Sequence, residues 1–201
     1  MGAFIFIIII IVVVATIMVV TKTSKDNKIA DGMKQRLLMN GFYTSEEIEV
    51  IDKDNQEKPF RFLLDRNSKK WTLALYRAAD ANIYIYPELV DYTVVYREMG
   101  NDVTQGDEYR IKASNHMKKN SRGIIESKGL NSDNCEYIAL FVTYKGRPIN
   151  DKICSEFLLF EKQDRYLNAK NYDYLIASTC ISNAKDFENM LFEIVKTNME
   201  K

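Results

Sequence analysis

One stretch of this sequence stands out for the chemistry its side chains could do. From Arg110 to Lys128 it carries Arg110, Lys112, Lys118, Lys119, Arg122 and Lys128 against Glu126 alone, a net charge of +5. Such a cluster attracts anionic groups, and Lys118, Lys119 and Arg122 are the residues expected to contact lipid headgroups or an acidic partner. The plainer alternative is a solvated loop that offsets acidic surface elsewhere, since 28 Lys and Arg balance 28 Asp and Glu over the 201 residues. That balance argues against nucleic-acid binding, which draws on surplus positive charge, and Tyr109 alone makes no stacking platform for bases. A second cluster is aromatic, with Tyr76, Tyr84, Tyr86, Tyr92 and Tyr96 in the middle of the chain. Core and cross-strand packing accounts for most of these rings, while Tyr84, Tyr86 and Tyr96 are candidates for an exposed face that accepts a peptide or a second subunit.

Catalytic and metal chemistry find little to work with. The single histidine, His116, lies in KASNHMKKN with no cysteine or acid at ligand spacing, and reads as a surface residue. The eight glycines never fall as GxGxxG or GxxxxGK[ST], which removes the usual phosphate cradles. There is no CxxC pair, HExxH, EF-hand loop or Gly-x-Ser-x-Gly elbow. The sequence therefore predicts a non-enzyme, with no catalytic residue, no metal site and no cofactor. Cys135, Cys154 and Cys180 are odd in number and widely spaced, as reduced thiols are, unlike a secreted disulfide framework.

The elements that would carry these residues fall into three parts. Residues 1–21 contain FIFIIIIIVVVATIMVV (Phe4–Val20), seventeen residues without a charge. As a helix this run extends roughly 25 Å, and with residues 2–3 it approaches the ~30 Å bilayer core, so a transmembrane anchor is expected, with the lipid bilayer as the partner of residues 3–20. A cleaved signal peptide would want a basic start and a small-residue cleavage site, and a pilin-like start would want a basic leader and an early Glu; neither pattern is present in the run. Lys22, Lys25 and Lys28 against Asp26 then place the following domain in the cytoplasm by the positive-inside rule, making this a single-pass inner-membrane protein. Residues 22–30 form a polar tether.

Residues 31–201 form the domain. Asp31–Asn40 is a short helix with a capping Asp and Gly41 as its stop. Glu47–Ile51 is a strand or a further helical turn. Phe60–Asp65 and Lys70–Tyr76 are strands joined by the tight turn Arg66–Lys69, and Asn82–Tyr86, Asp91–Arg97, Tyr137–Tyr144 and Glu156–Lys162 continue the series. Tyr109–Asn134 is polar and has no clear period. Between Asn168 and Lys196 the apolar residues recur at gaps of three and four, a long helix with one apolar stripe. The expected fold is α+β: an N-terminal transmembrane helix, then an antiparallel sheet or open barrel of six to seven strands closed by the long C-terminal helix.

Two motifs carry a resemblance. Asp65, Lys69, Lys70 and Trp71 match a D-x-x-x-K-K-W/I hairpin, and Tyr86, Glu88, Leu89 and Tyr92 match Y-x-[DE]-[IL]-x-x-[YF]. In that order, and with LLMNGFYTSEEIEVI upstream, the chain from about Gly32 to Val195 resembles uncharacterised bacterial proteins with a pleckstrin-homology-like (PH-like) domain of the SHOCT-associated type. The chain departs from them in Tyr109–Gly129, where relatives often carry a Gly-rich apolar insert, and in lacking the SHOCT helix pair. The resemblance implies a PH-like fold more than an activity. Together with the anchor, it implies a membrane-anchored, non-enzymatic interaction module that localises or assembles partners, either other proteins or copies of itself. The alternative is an extracytoplasmic β-rich subunit of an envelope or secretion complex, held by the same helix in the opposite orientation.

Overall fold

The computed structural model describes residues 31–50, 60–75, 81–100, 123–146, 151–162 and 172–200. Helix α1 (31–39) buries Met33 and Leu37, one turn apart on the same face. It ends where Gly41 takes a φ of 69°, with the Phe42 N–H donating back to the Leu37 carbonyl at 2.9 Å and the Gly41 N–H to that of Leu38 at 3.0 Å. Only a residue free of a Cβ enters this left-handed cap without strain.

Strands β1 (Glu46–Val50), β2 (Phe60–Asp65), β3 (Lys70–Leu75) and β4 (Ile83–Ile85) form one antiparallel sheet in sequential order. Pro87 lacks an N–H for a ladder, so the chain leaves this sheet through a 3-10 turn, Tyr86–Glu88, with Pro87 at its start. It re-enters as β5 (Leu89–Glu98), followed by the short helix α2 (Ile124–Ser127), β6 (Cys135–Lys145) and β7 (Lys152–Glu161). Strands β5, β6 and β7 make a second antiparallel sheet, and α3 (Tyr172–Met199, 28 residues) packs across both sheets.

The pleat explains the three consecutive apolar residues Phe62, Leu63 and Leu64 of β2. Phe62 and Leu64 face the main core, while Leu63 points to the other side and, with Ala74, lies under Met33, Leu37 and Phe42. The first sheet is therefore covered on both faces. In β7 the pairing shifts between Ile138↔Phe160 and Ala139↔Leu158, leaving Leu159 as an extra residue. This bulge puts Leu159 and Phe160 into the same core although they are consecutive. The main core lies between the two sheets and the Ala184, Phe187, Leu191 and Ile194 stripe of α3.

Several expectations are corrected. The anchor and tether (1–21 and 22–30) lie outside the described residues, and among the described residues no helix is long and apolar enough to cross a membrane. Among the described residues the fold is α+β with two antiparallel sheets, of four and three strands, and a C-terminal helix, and none of its helices is the expected transmembrane helix or supports the single-pass inner-membrane placement. The one long described helix, α3, has the length to span a bilayer, but Lys185, Asp186, Glu188, Glu193 and Lys196 interrupt its apolar residues and make it amphipathic. The single sheet or barrel is replaced by two sheets. Tyr86, expected to end a strand, begins the 3-10 turn instead.

Candidate functional site

The residues of the first motif, Asp65, Lys69, Lys70 and Trp71, meet at one corner of the first sheet, where Tyr86 of the second donates its N–H to the Lys69 carbonyl at 3.0 Å. The Asp65 side chain is fully buried and accepts the Tyr43 N–H at 2.9 Å and the Ser68 N–H at 3.0 Å. It closes the β2–β3 turn on one side and fixes the α1–β1 connection on the other. Burial pushes its carboxyl pKa up, but these hydrogen bonds and the Lys70 charge outweigh it, and the net shift is downward. Lys69 takes a φ of 51° in the turn, and Lys70 Nζ donates to the Gly41 carbonyl at 2.9 Å. Trp71 is fully buried, with its Nε1–H directed at the Ile85 carbonyl at 3.2 Å. Its ring stacks on Phe62 and Tyr84, centroids 5.7 and 4.5 Å apart, and meets Tyr144 edge-on at 5.5 Å.

The tyrosines considered for an exposed face are placed otherwise. Tyr84 and Tyr86 are buried in the main core: Tyr84 pairs with Trp71 across β3 and β4, and Tyr86 follows at the start of the 3-10 turn. Tyr96 is half-buried and packs against the same core. Burial, followed by the charge of Glu193, pushes the Tyr86 hydroxyl up to about 12, and among the described residues this hydroxyl finds no hydrogen-bond partner. Asn198 Nδ2 donates to the Tyr86 and Leu89 carbonyls at 2.8 and 3.3 Å, tying the end of α3 to the passage between the sheets. Arg66 joins three elements at the surface: it forks onto Glu193 of α3, Nη2 to Oε2 at 2.7 Å, and pairs with Glu46 of β1 at 2.8 Å. Its side chain is 45% exposed, so solvent screens both pairs. Arg66→Ala is expected to lower stability by less than about 1 kcal/mol in a denaturant titration.

A second constellation was not anticipated from the sequence. Glu188, on α3, is buried to 1% exposure, and its two carboxylate oxygens accept the Ile124 N–H at 2.5 Å and the Ile125 N–H at 2.9 Å. A Cβ on Gly123 would lie 2.7 Å from Asn189 Oδ1, so a larger residue there would push that exposed side chain aside. Burial pushes the Glu188 pKa up, the two amides hold it back, Glu126 adds to the rise, and the net shift is upward. The available signal was position: Glu188 follows Ala184 by four residues and precedes Leu191 by three, on the apolar stripe itself.

Lys118, Lys119, Arg122 and His116 lie outside the described residues. Both ends of the segment that holds them are described. On one side Met99 N–H donates to the Asn134 carbonyl at 3.0 Å just before Gly100; on the other stands Gly123, followed by the Glu188 contacts. Among the described residues no group of three or more His, Cys, Asp and Glu is arranged to hold a metal. Burial pushes the Cys135 thiol up to about 11, which keeps it protonated and unreactive at neutral pH. Fold and corner together define an α+β domain whose described polar side chains largely serve its own architecture. No family model, curated protein or solved structure matches the chain.

Proposed function

We propose that this chain is a non-enzymatic interaction module of PH-like build, which holds an acidic protein partner through Lys118, Lys119 and Arg122. Seven strands in two antiparallel sheets with a C-terminal helix packed across them support the PH-like reading. The observation that carries the binding role is the bracketing of the basic segment. A net charge of +5 is concentrated between Arg110 and Lys128; the chain before it is held at Met99–Asn134, and its C-terminal end is held by the Ile124 and Ile125 amides on Glu188. Two anchored ends suit a partner that needs a defined register, as a folded acidic surface does, better than a fluid layer of headgroups.

Replacing Lys118, Lys119 and Arg122 together by Glu in the full chain tests this reading. Binding to an immobilised poly-glutamate peptide at low salt should fall at least about tenfold, with the melting temperature unchanged. Equal binding by the variant would refute the assignment. Binding to phosphatidylserine vesicles but not to the peptide would replace the protein partner by lipid.

A further inference from the structure

We propose that Glu188 is a proton-operated latch on the turn that closes the basic segment: ionised, it holds the Gly123–Ile125 backbone against α3, and protonated, it releases one of the two amides. A carboxylate has only acceptors to offer, and both its oxygens are used, on Ile124 and Ile125. Adding a proton turns one oxygen into a hydroxyl, which loses its charge, accepts an N–H far more weakly and brings a donor that needs a partner of its own, so that contact loosens. The remaining oxygen still holds one amide. Ile125 and Leu130 stay fully buried in the main core, so α2 remains in place and only the Gly123–Ile124 end comes free.

The surroundings move this step to a higher pH than that of an ordinary glutamate. Glu188 is buried, which disfavours its charge, and Glu126 of α2 opposes it from the same turn. From β5, the Tyr92 hydroxyl feels both Glu188 and Asp91 and is itself pushed strongly upward, chiefly by burial, so it stays neutral. On β1, Glu46 and Glu47 are engaged by Arg66 and by Arg61 and Lys34. That the latch tunes partner binding rests on the proposed function; that it exists does not.

Amide chemical shifts of the isotope-labelled full chain test the latch without any partner. The Ile124 and Ile125 amides should titrate together, with one midpoint above the ordinary 4.5 of a glutamate. In Glu188→Gln, which keeps one acceptor, neither amide should titrate, and one should exchange with solvent about tenfold faster, the equivalent of one hydrogen bond to a charged group. Glu126→Gln should keep the titration and lower its midpoint. Amides that stay flat in the unsubstituted chain, or that titrate unchanged in Glu188→Gln, would overturn the latch. If Glu188→Gln fails to fold, the midpoint shift in Glu126→Gln still decides, an unmoved midpoint counting against the proposal.

Discussion

Trp71→Ala is expected to destabilise the domain by about 3–5 kcal/mol, a large share of the roughly 5–15 kcal/mol that holds an ordinary domain folded. The side chain is fully buried where the first sheet faces the second, and it touches rings from three other strands: Phe62 of β2, Tyr84 of β4 and Tyr144 of β6. Removing it leaves a cavity that those rings cannot all fill, because each is also held by its own strand. It also leaves the Ile85 carbonyl without its indole donor at the passage from the first sheet to the second. Far-UV circular dichroism during denaturant titration would measure the loss. Trp71→Phe keeps most of the ring stack and loses the N–H and some volume, so about 1–2 kcal/mol is expected. Trp71 is the only tryptophan in the chain, so its emission reports this contact directly in the unsubstituted protein. A midpoint unchanged in Trp71→Ala would mean that the stack does not join the two sheets energetically.

The legible part of this fold is the part written in local periodicity. The Met33 and Leu37 spacing with Gly41, the alternation of β2 and β3 around a four-residue turn, and the stripe of α3 each follow from residues within a dozen positions of one another. What lay hidden depends on contacts distant in sequence. Lys152–Ser155 gives no apolar alternation because the start of β7 is exposed, and only pairing with β6 makes it a strand. Helix α2 is four residues long and its first amides are satisfied by Glu188, 63 and 64 positions away. Tyr84 and Tyr86 looked like an exposed face because tyrosine tolerates both settings, and the strand period alone does not say which side the core will take. The apolar run Phe4–Val20 suggested a membrane helix by length and composition, whereas the described fold is built around the amphipathic α3.

The motif residues are better understood as a corner than as a site, and Asp65 shows why. Its carboxylate joins two connections far apart in sequence, the α1–β1 loop through Tyr43 and the β2–β3 turn through Ser68, while the next strand answers with Lys70 on the Gly41 carbonyl. Asp65→Ala would leave two amide hydrogens beside a buried carboxylate site with no acceptor, a loss of about 3 kcal/mol at neutral pH. Asp65→Asn keeps one oxygen but turns an NH2 toward the second amide, so roughly half that loss is expected. The effect is pH-dependent with a definite sign. Because the folded-state pKa lies below the ordinary 3.8, the ionised carboxylate stabilises the fold fully above 3.8, and that contribution disappears as pH falls through the lower folded value. Glu188 acts in the opposite sense: its folded pKa lies above 4.5, so the fold loses stability as pH rises from 4.5 through that value. The difference in denaturation midpoint between the unsubstituted chain and Asp65→Ala should therefore shrink on acidification below 3.8, while the difference for Glu188→Gln changes above 4.5. An Asp65→Ala deficit that stays constant from neutral pH to the acid limit would show that the lost carboxylate charge is not what holds this corner, and that its packing volume is.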